Sequence, residues 1–215
     1  VPLRATVRLD PRAAAVEVDL RDNPDCLPCG LNLTEATART AAMIAIFNSL
    51  PEEIPFNGGS FRRLRVLLRE NCCVGIPRHP ASCSVATTGL ANRIGGAVQR
   101  AFAELAPVLG MADTGFILGP GMGVVSGVDP RDGSPFINQL MLAHAGGGAS
   151  SALDGWQTVG DHGAGGVVLL DSVEMDELQY PILVFERRVP PDCEGAGVHR
   201  GAPGILVEFG PLDCE

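Results

Sequence analysis

Residues 180–204 read YPILVFERRVPPDCEGAGVHRGAPG, and the order of events within them sets how the chain closes. A β-branched and aromatic segment, Ile182, Leu183, Val184 and Phe185, suits a pleated strand. Arg187 and Arg188 follow, then two prolines that cannot join a strand ladder. Gly195, Gly197, Gly201 and Gly204 then mark a hairpin in which backbones approach closely. Arg187 and Arg188, beside Glu186, form either an ion-pair node between subunits or a clamp for a carboxylate.

Outward from that run, the period of the sequence changes several times. Residues 3–9 and 15–20 alternate apolar and polar side chains, the pattern of half-buried strands on either side of the Asp10-Pro11 turn. Residues 21–30, rich in Pro, Asp and Gly, form a loop. Residues 34–49 predict a helix with Thr34 as N-cap, with Met43, Ile44 and Phe47 on one face and Pro51 as the stop. Residues 54–59 read as a loop. Residues 62–68 alternate Arg with Leu and Val, a strand with one cationic face. A second helix spans about 88–106, with Gly95, Gly96 and Ala97 suggesting close packing against another backbone. Beyond it the chain is Gly-rich at 115–127, strand-like at 135–145, and Gly-rich again at 145–156. The acidic stretch DSVEMDEL at 171–178 ends a helix-poor hairpin region. The expected fold is α+β: helices and antiparallel strands with a Gly-rich β-lobe, one unit over 1–215 with sub-lobes 1–109 and 110–215, part of a larger subunit.

Composition narrows the function. The 215 residues are 46% hydrophobic and 19% charged, with a net charge of −9. That excludes nucleic acid and anionic membrane as partners, because both need a basic patch. All 16 basic residues are arginine. Without lysine there is no phosphate-loop lysine and no Schiff-base lysine. No segment reaches the length of a membrane span, and the first residues carry no apolar leader core. The seven cysteines therefore read as reduced thiols of a cytoplasmic protein. Cys26 and Cys29 have zinc-knuckle or redox spacing but lack an evident second pair, and the adjacent Cys72 and Cys73 suit neither chelation nor a disulfide. No metal is assigned to this chain. Val1 is consistent with Met removal, a fragment or an internally cleaved polypeptide.

Several segments in order resemble the hydantoinase B / 5-oxoprolinase / acetone carboxylase α-subunit family. VEVDLRDNPDC…GLNLTEATARTA is similar to the family's strand, loop and helix start, with Asn32 in the Asn position. IPFNGGSFRRLRV resembles its Ile-Pro-x-Asn-x-Gly-x-x-Arg segment, with Asn57, Gly59 and Arg62 or Arg63 on the motif. PFINQLMLAHAGGGASSALDGW is similar to its aromatic strand and Gly-rich loop, ending at Asp154-Gly155. EMDELQYP resembles a stretch of the ketone carboxylase branch, and the closing run completes the order. Two segments depart from the pattern: ATTGLANR stands where the family has Glu-Thr-Ser-Gln, and LGPGMGVVSG where it has a polar Gln-Gly-x-x-Asn-Asn loop.

The resemblance implies the C-terminal half of a subunit, with the His/Asp metal-binding segments of the N-terminal half on another chain. It implies no cofactor bound by this chain, with ATP and a divalent metal held by partner chains. The expected partners are a hydantoinase A-like ATP-binding subunit and a chain carrying the N-terminal half. The expected activity is ATP-dependent ketone carboxylation, with lactam or hydantoin hydrolysis and a non-catalytic scaffold role as alternatives. The candidate catalytic residues are Asn57, from its motif, and His144, Asp154 and His162, which stand beside Gly-rich loops that a substrate can approach. Asp154 serves equally as a turn former, and each histidine as a loop residue.

Overall fold

The computed structural model describes residues 2–51, 53–83, 86–106, 108–115, 123–156 and 169–212. The alternating N-terminal segments form an antiparallel hairpin, β1 (Thr6–Asp10) and β2 (Ala15–Asp19). The Asp10 carboxylate accepts hydrogen bonds from the Arg12 and Ala13 amides and so closes the turn. The chain then crosses through α1 (Glu35–Ser49) and a single turn, α2 (Gly58–Phe61), into β3 (Leu64–Leu67). β3 lies parallel to β2, giving the order β1-β2-β3. This pair departs from the expected antiparallel pairing, because a helix between two strands returns the chain in the same direction. One face of the sheet buries Val7, Val16, Val18 and Val66. The other aligns Arg8, Glu17 and Arg65 across the three strands.

Thr34 caps α1 as its sequence predicts, its hydroxyl accepting from the Thr37 amide. The buried face is different from the expected one. Ala38, Ala41, Ala42, Ala45, Ile46 and Ser49 face inward, while Met43, Ile44 and Phe47 are half-buried. Small side chains let α1 lie close against α3 (Ala86–Leu105), whose Ile94, Val98 and Phe102 complete the core. The close approach expected at Gly95 is not made there: a Cβ on Gly95 would meet nothing within 4 Å. Phe47 instead joins Phe56 and Phe61 in an edge-to-face trio, with ring centroids 4.6 to 5.5 Å apart.

Loop 21–33 is held from within. Asn32 is fully buried; its side chain accepts from the Leu27 amide and donates to the carbonyls of Leu27, Cys29 and Ser82. Cys72 and Cys73 are buried free thiols beneath this loop. A hydrogen bond to Cys72, reinforced by burial, pushes the Cys73 thiol up.

The second half holds its own smaller core. β4 (Val124–Val128) and β5 (Pro135–Gln139) form a hairpin. Its turn is locked by Arg131, which forks onto Asp129 and donates to the Leu178 carbonyl. The acidic stretch, expected to belong to a helix-poor region, is a two-turn helix, α4 (Val173–Gln179). The Ser172 cap and the acids Glu174 and Asp176 in its first turn favour that helix start. The closing run is the hairpin it predicts: β6 (Ile182–Arg188) and β7 (Leu206–Pro211), antiparallel, with a bulge between Val184 and Glu186. Leu140, Leu142 and Ile182 are buried between these parts. Among the described residues no helix is long and apolar enough to cross a membrane.

Two outcomes follow from these contacts. Asn32→Ala leaves three carbonyls and one amide without their partner, so it lowers stability by about 2–4 kcal/mol, read as a shifted urea midpoint with unchanged slope. Asp176 is buried, and burial, with the nearby Asp171 charge, holds its carboxyl above the usual range. A raised folded-state value means that the native state binds this proton more tightly than the unfolded chain. Asp176 therefore favours folding on acidification and opposes it as pH rises through its folded value. The difference in thermal midpoint between the parent and Asp176→Asn should shift in the variant's favour as pH rises from 4 to about 8.

Candidate functional site

The triple glycine at 146–148 fixes the geometry of the second half. This segment leaves β5 in an extended conformation and runs between two other stretches of backbone. On one side the Gly115 amide donates to the Gly146 carbonyl and the Ala112 amide to the Ala149 carbonyl, at 3.0 and 2.9 Å. On the other side the Ala202 amide donates to the Gly147 carbonyl at 2.9 Å. The Gly147 amide reaches the Trp156 carbonyl, and the Gly155 amide the Arg200 carbonyl. A Cβ on Gly146 would overlap the Ala202 carbonyl oxygen, and one on Gly148 the Ala112 carbonyl oxygen. Glycine is needed here because backbone packs directly on backbone.

This arrangement walls a cleft of about 330 Å³ between residues 112–115, 144–149 and 193–205. His144, nearly fully buried, lines it from the chain entering the glycines, and its carbonyl accepts from the Ile205 amide. His199 lines it from the closing run, together with Cys193 and Asp113. Asp154 stands behind His199: its Oδ1 accepts from the Arg200 amide at 2.8 Å and lies 3.4 Å from His199 Nδ1. A second hollow of about 560 Å³ opens alongside, lined by Leu50, Val108, Met111, Leu153 and Trp156, with Asp154 and Gly148 in its wall. Trp156, the chain's single tryptophan, is three-quarters exposed (75%) at its edge.

The sequence candidates separate on this frame. His144 lines the cleft, and Asp154 lies behind it, against His199. Asn57 does not line it; its side chain accepts from the Gly59 and Ser60 amides as the N-cap of α2. His162 and residues 116–122 of the Gly-rich loop lie outside the described residues. His199 is a cleft residue that the sequence candidates do not include. Its setting in Gly-Val-His-Arg-Gly, within the same glycine pattern as the other wall, was the available signal. Among the described residues no group of three or more His, Cys, Asp or Glu side chains is placed to hold a metal ion.

The family model for hydantoinase B/oxoprolinase matches residues 1–214. The chain belongs to this family. It is 26% identical over 212 residues to the caprolactamase subunit beta of Pseudomonas jessenii, covering 98% of this chain and 36% of that protein. An uncharacterized protein of Schizosaccharomyces pombe is 26% identical over 183 residues, 83% of this chain and 13% of its own length. The crystal structure of the ATP-dependent caprolactamase from P. jessenii superposes with a TM-score of 0.79 at 25% identity, over 97% of this chain and 36% of that one. A nucleotide-free acetone carboxylase structure shares the fold at a TM-score of 0.76 and 13% identity, over 98% of this chain and 27% of that one. This hydantoinase B-family chain thus spans between 13% and 36% of the length of these curated and solved relatives.

Gly146→Ala tests the wall. Overpacking at this crossing costs about 1–3 kcal/mol. Hydrogen exchange should quicken at the Gly115 and Ala202 amides, while the amides of α1 and α3 keep their protection.

Proposed function

We propose that this chain is one part of an ATP-dependent complex that opens cyclic amides, and that the cleft beside Asp154 and His199 receives the activated carbonyl. The observation that carries the reading is the junction of a polar pair with an apolar hollow. Asp154 belongs to both, so a substrate with a polar amide and a hydrocarbon ring can present each end to matching chemistry. The similarity to a caprolactamase subunit over nearly the whole chain supports it.

On this reading Asp154 orients His199 through Nδ1, which leaves Nε2 to take a proton from the attacking water. The close glycine backbone excludes bulk water from the reacting carbon. A hydantoinase A-like partner binds ATP and transfers phosphate to the amide oxygen, and a chain carrying the rest of the hydantoinase B-like subunit holds the divalent metal. The 215 residues act as a single unit with sub-lobes 1–109 and 110–215, in the cytoplasm.

Ketone carboxylation is the second reading, favoured by the segment EMDELQYP. Against it, the acids of that segment have structural tasks in α4. Asp176 is buried, and the Glu177 carboxylate accepts from the Val184 amide at 2.8 Å.

The assembled complex, given ATP and a medium-ring lactam, should release the amino acid, and His199→Gln should lower kcat by about 100-fold with KM and subunit association unchanged. Trp156→Ala should chiefly raise KM. ATP-dependent consumption of bicarbonate with a ketone, and no lactam opening, would transfer the chain to the second reading.

A further inference from the structure

The cationic strand at 62–68 has no part in the cleft, yet the fold builds something specific around it. Arg62, Arg63 and Arg65 meet Arg8 of β1 and Arg12 of the β1–β2 turn around a groove of about 620 Å³ that the chain of residues 8–17 also lines. Two carboxylates, Asp10 and Glu17, share the groove. Glu17 is taken by Arg8 at 2.8 Å, and Asp10 is occupied by turn amides.

In this chain 25 acidic residues stand against 16 arginines, so carboxylates are plentiful. Nine arginines pair with one among the described residues. Arg12, Arg62, Arg63 and Arg65 are not among them. The Arg63 guanidinium is tethered to the Ala13 carbonyl, which joins the β1–β2 turn to the entry of β3 and gives the groove its shape. Four guanidinium groups without carboxylate partners among the described residues, gathered in one concavity of a chain with net charge −9, leave a concentrated positive field. A concave protein wall, poor in mobile charge, strengthens such a field.

We propose that this groove binds a multiply charged phosphoryl anion, either the polyphosphate of a nucleotide or a free pyrophosphate-like group. Guanidinium forks match phosphate oxygens two at a time, and several of them around a small volume suit a ligand that packs three or four negative charges together. A glutamate-rich segment spreads its charges along an extended backbone, about 3.3 Å per residue, and fits this clustering less well. The inference stands apart from the cleft, and its failure leaves the lactam reading untouched.

Equilibrium dialysis of the full chain against pyrophosphate, ATP and orthophosphate tests it. Pyrophosphate and ATP should bind saturably and more tightly than orthophosphate, and more weakly as salt is raised. Equal affinity for the first two identifies the phosphoryl group alone as the ligand, and tighter ATP binding identifies a nucleotide. The double variant Arg62→Ala/Arg65→Ala should weaken pyrophosphate binding by about tenfold or more. Arg100→Ala, on a guanidinium that already pairs with Glu104 in α3, should leave it unchanged. If the double variant fails to fold, Arg12→Gln in the exposed turn provides the same comparison. The proposal is overturned if the intact chain shows no saturable pyrophosphate binding, if folded groove variants bind as well as the parent, or if a glutamate-rich peptide binds where pyrophosphate does not.

Discussion

Direct contact of backbone on backbone at Gly146–148 is the constraint on which the second half depends. Three stretches far apart in the chain, near 112–115, 146–149 and 200–203, hydrogen-bond together so that a Cβ on Gly146 or Gly148 would overlap a facing carbonyl. Glycine loses the most conformational freedom on folding. The ladder of amide–carbonyl bonds offsets that loss only because all three stretches are present together. His144, two residues before Gly146, and His199, between Gly197 and Gly201, both line the cleft as a consequence. The chemistry proposed for the site thus rests on main-chain geometry more than on side-chain packing.

The first half is stabilised by the opposite means. Its α1–α3 contact uses alanines and interlocked aliphatics, and its long loop is held by one buried amide, Asn32. Here local pattern and tertiary structure agree, so β1, β2, α1 and α3 could be read from periodicity and caps. Where a contact between distant segments decided the outcome, the reading failed. α1 turned its alanines inward because α3 lies close, a fact that α1 alone does not encode. β3 pairs parallel to β2 because the intervening helix returns the chain in that direction.

The second half was less legible for a related reason. Residues 135–145 are strand-like in sequence, but only Pro135–Gln139 pairs as a strand, because the glycines that follow exchange strand pairing for the cleft wall. The acidic run at 171–178 is a helix because Ser172 caps it and acids occupy its first turn, a start signal that acidity alone does not give. Asn57 shows the converse: a residue placed on a motif serves as a local cap. His199 was passed over because its partner Asp154 lies 45 residues earlier, and no spacing rule joins them.

Different surfaces therefore carry different chemistry. The cleft is walled by main chain and holds two histidines, and the groove over the first sheet is cationic. The outer face of the β4–β5 ribbon is apolar, with Val124, Val128 and Ile137 all exposed. A two-stranded ribbon is marginal in water by itself. This one is secured at a single end, by the Arg131 fork onto Asp129 and the Leu178 carbonyl, and along its inner side by the small Leu140–Leu142–Ile182 core. Packing on one side and at one end is enough to hold its register, but not to cover its outward valines. The described residues therefore leave Val124, Val128 and Ile137 in water, and apolar cover against this face would stabilise it by removing that area from solvent.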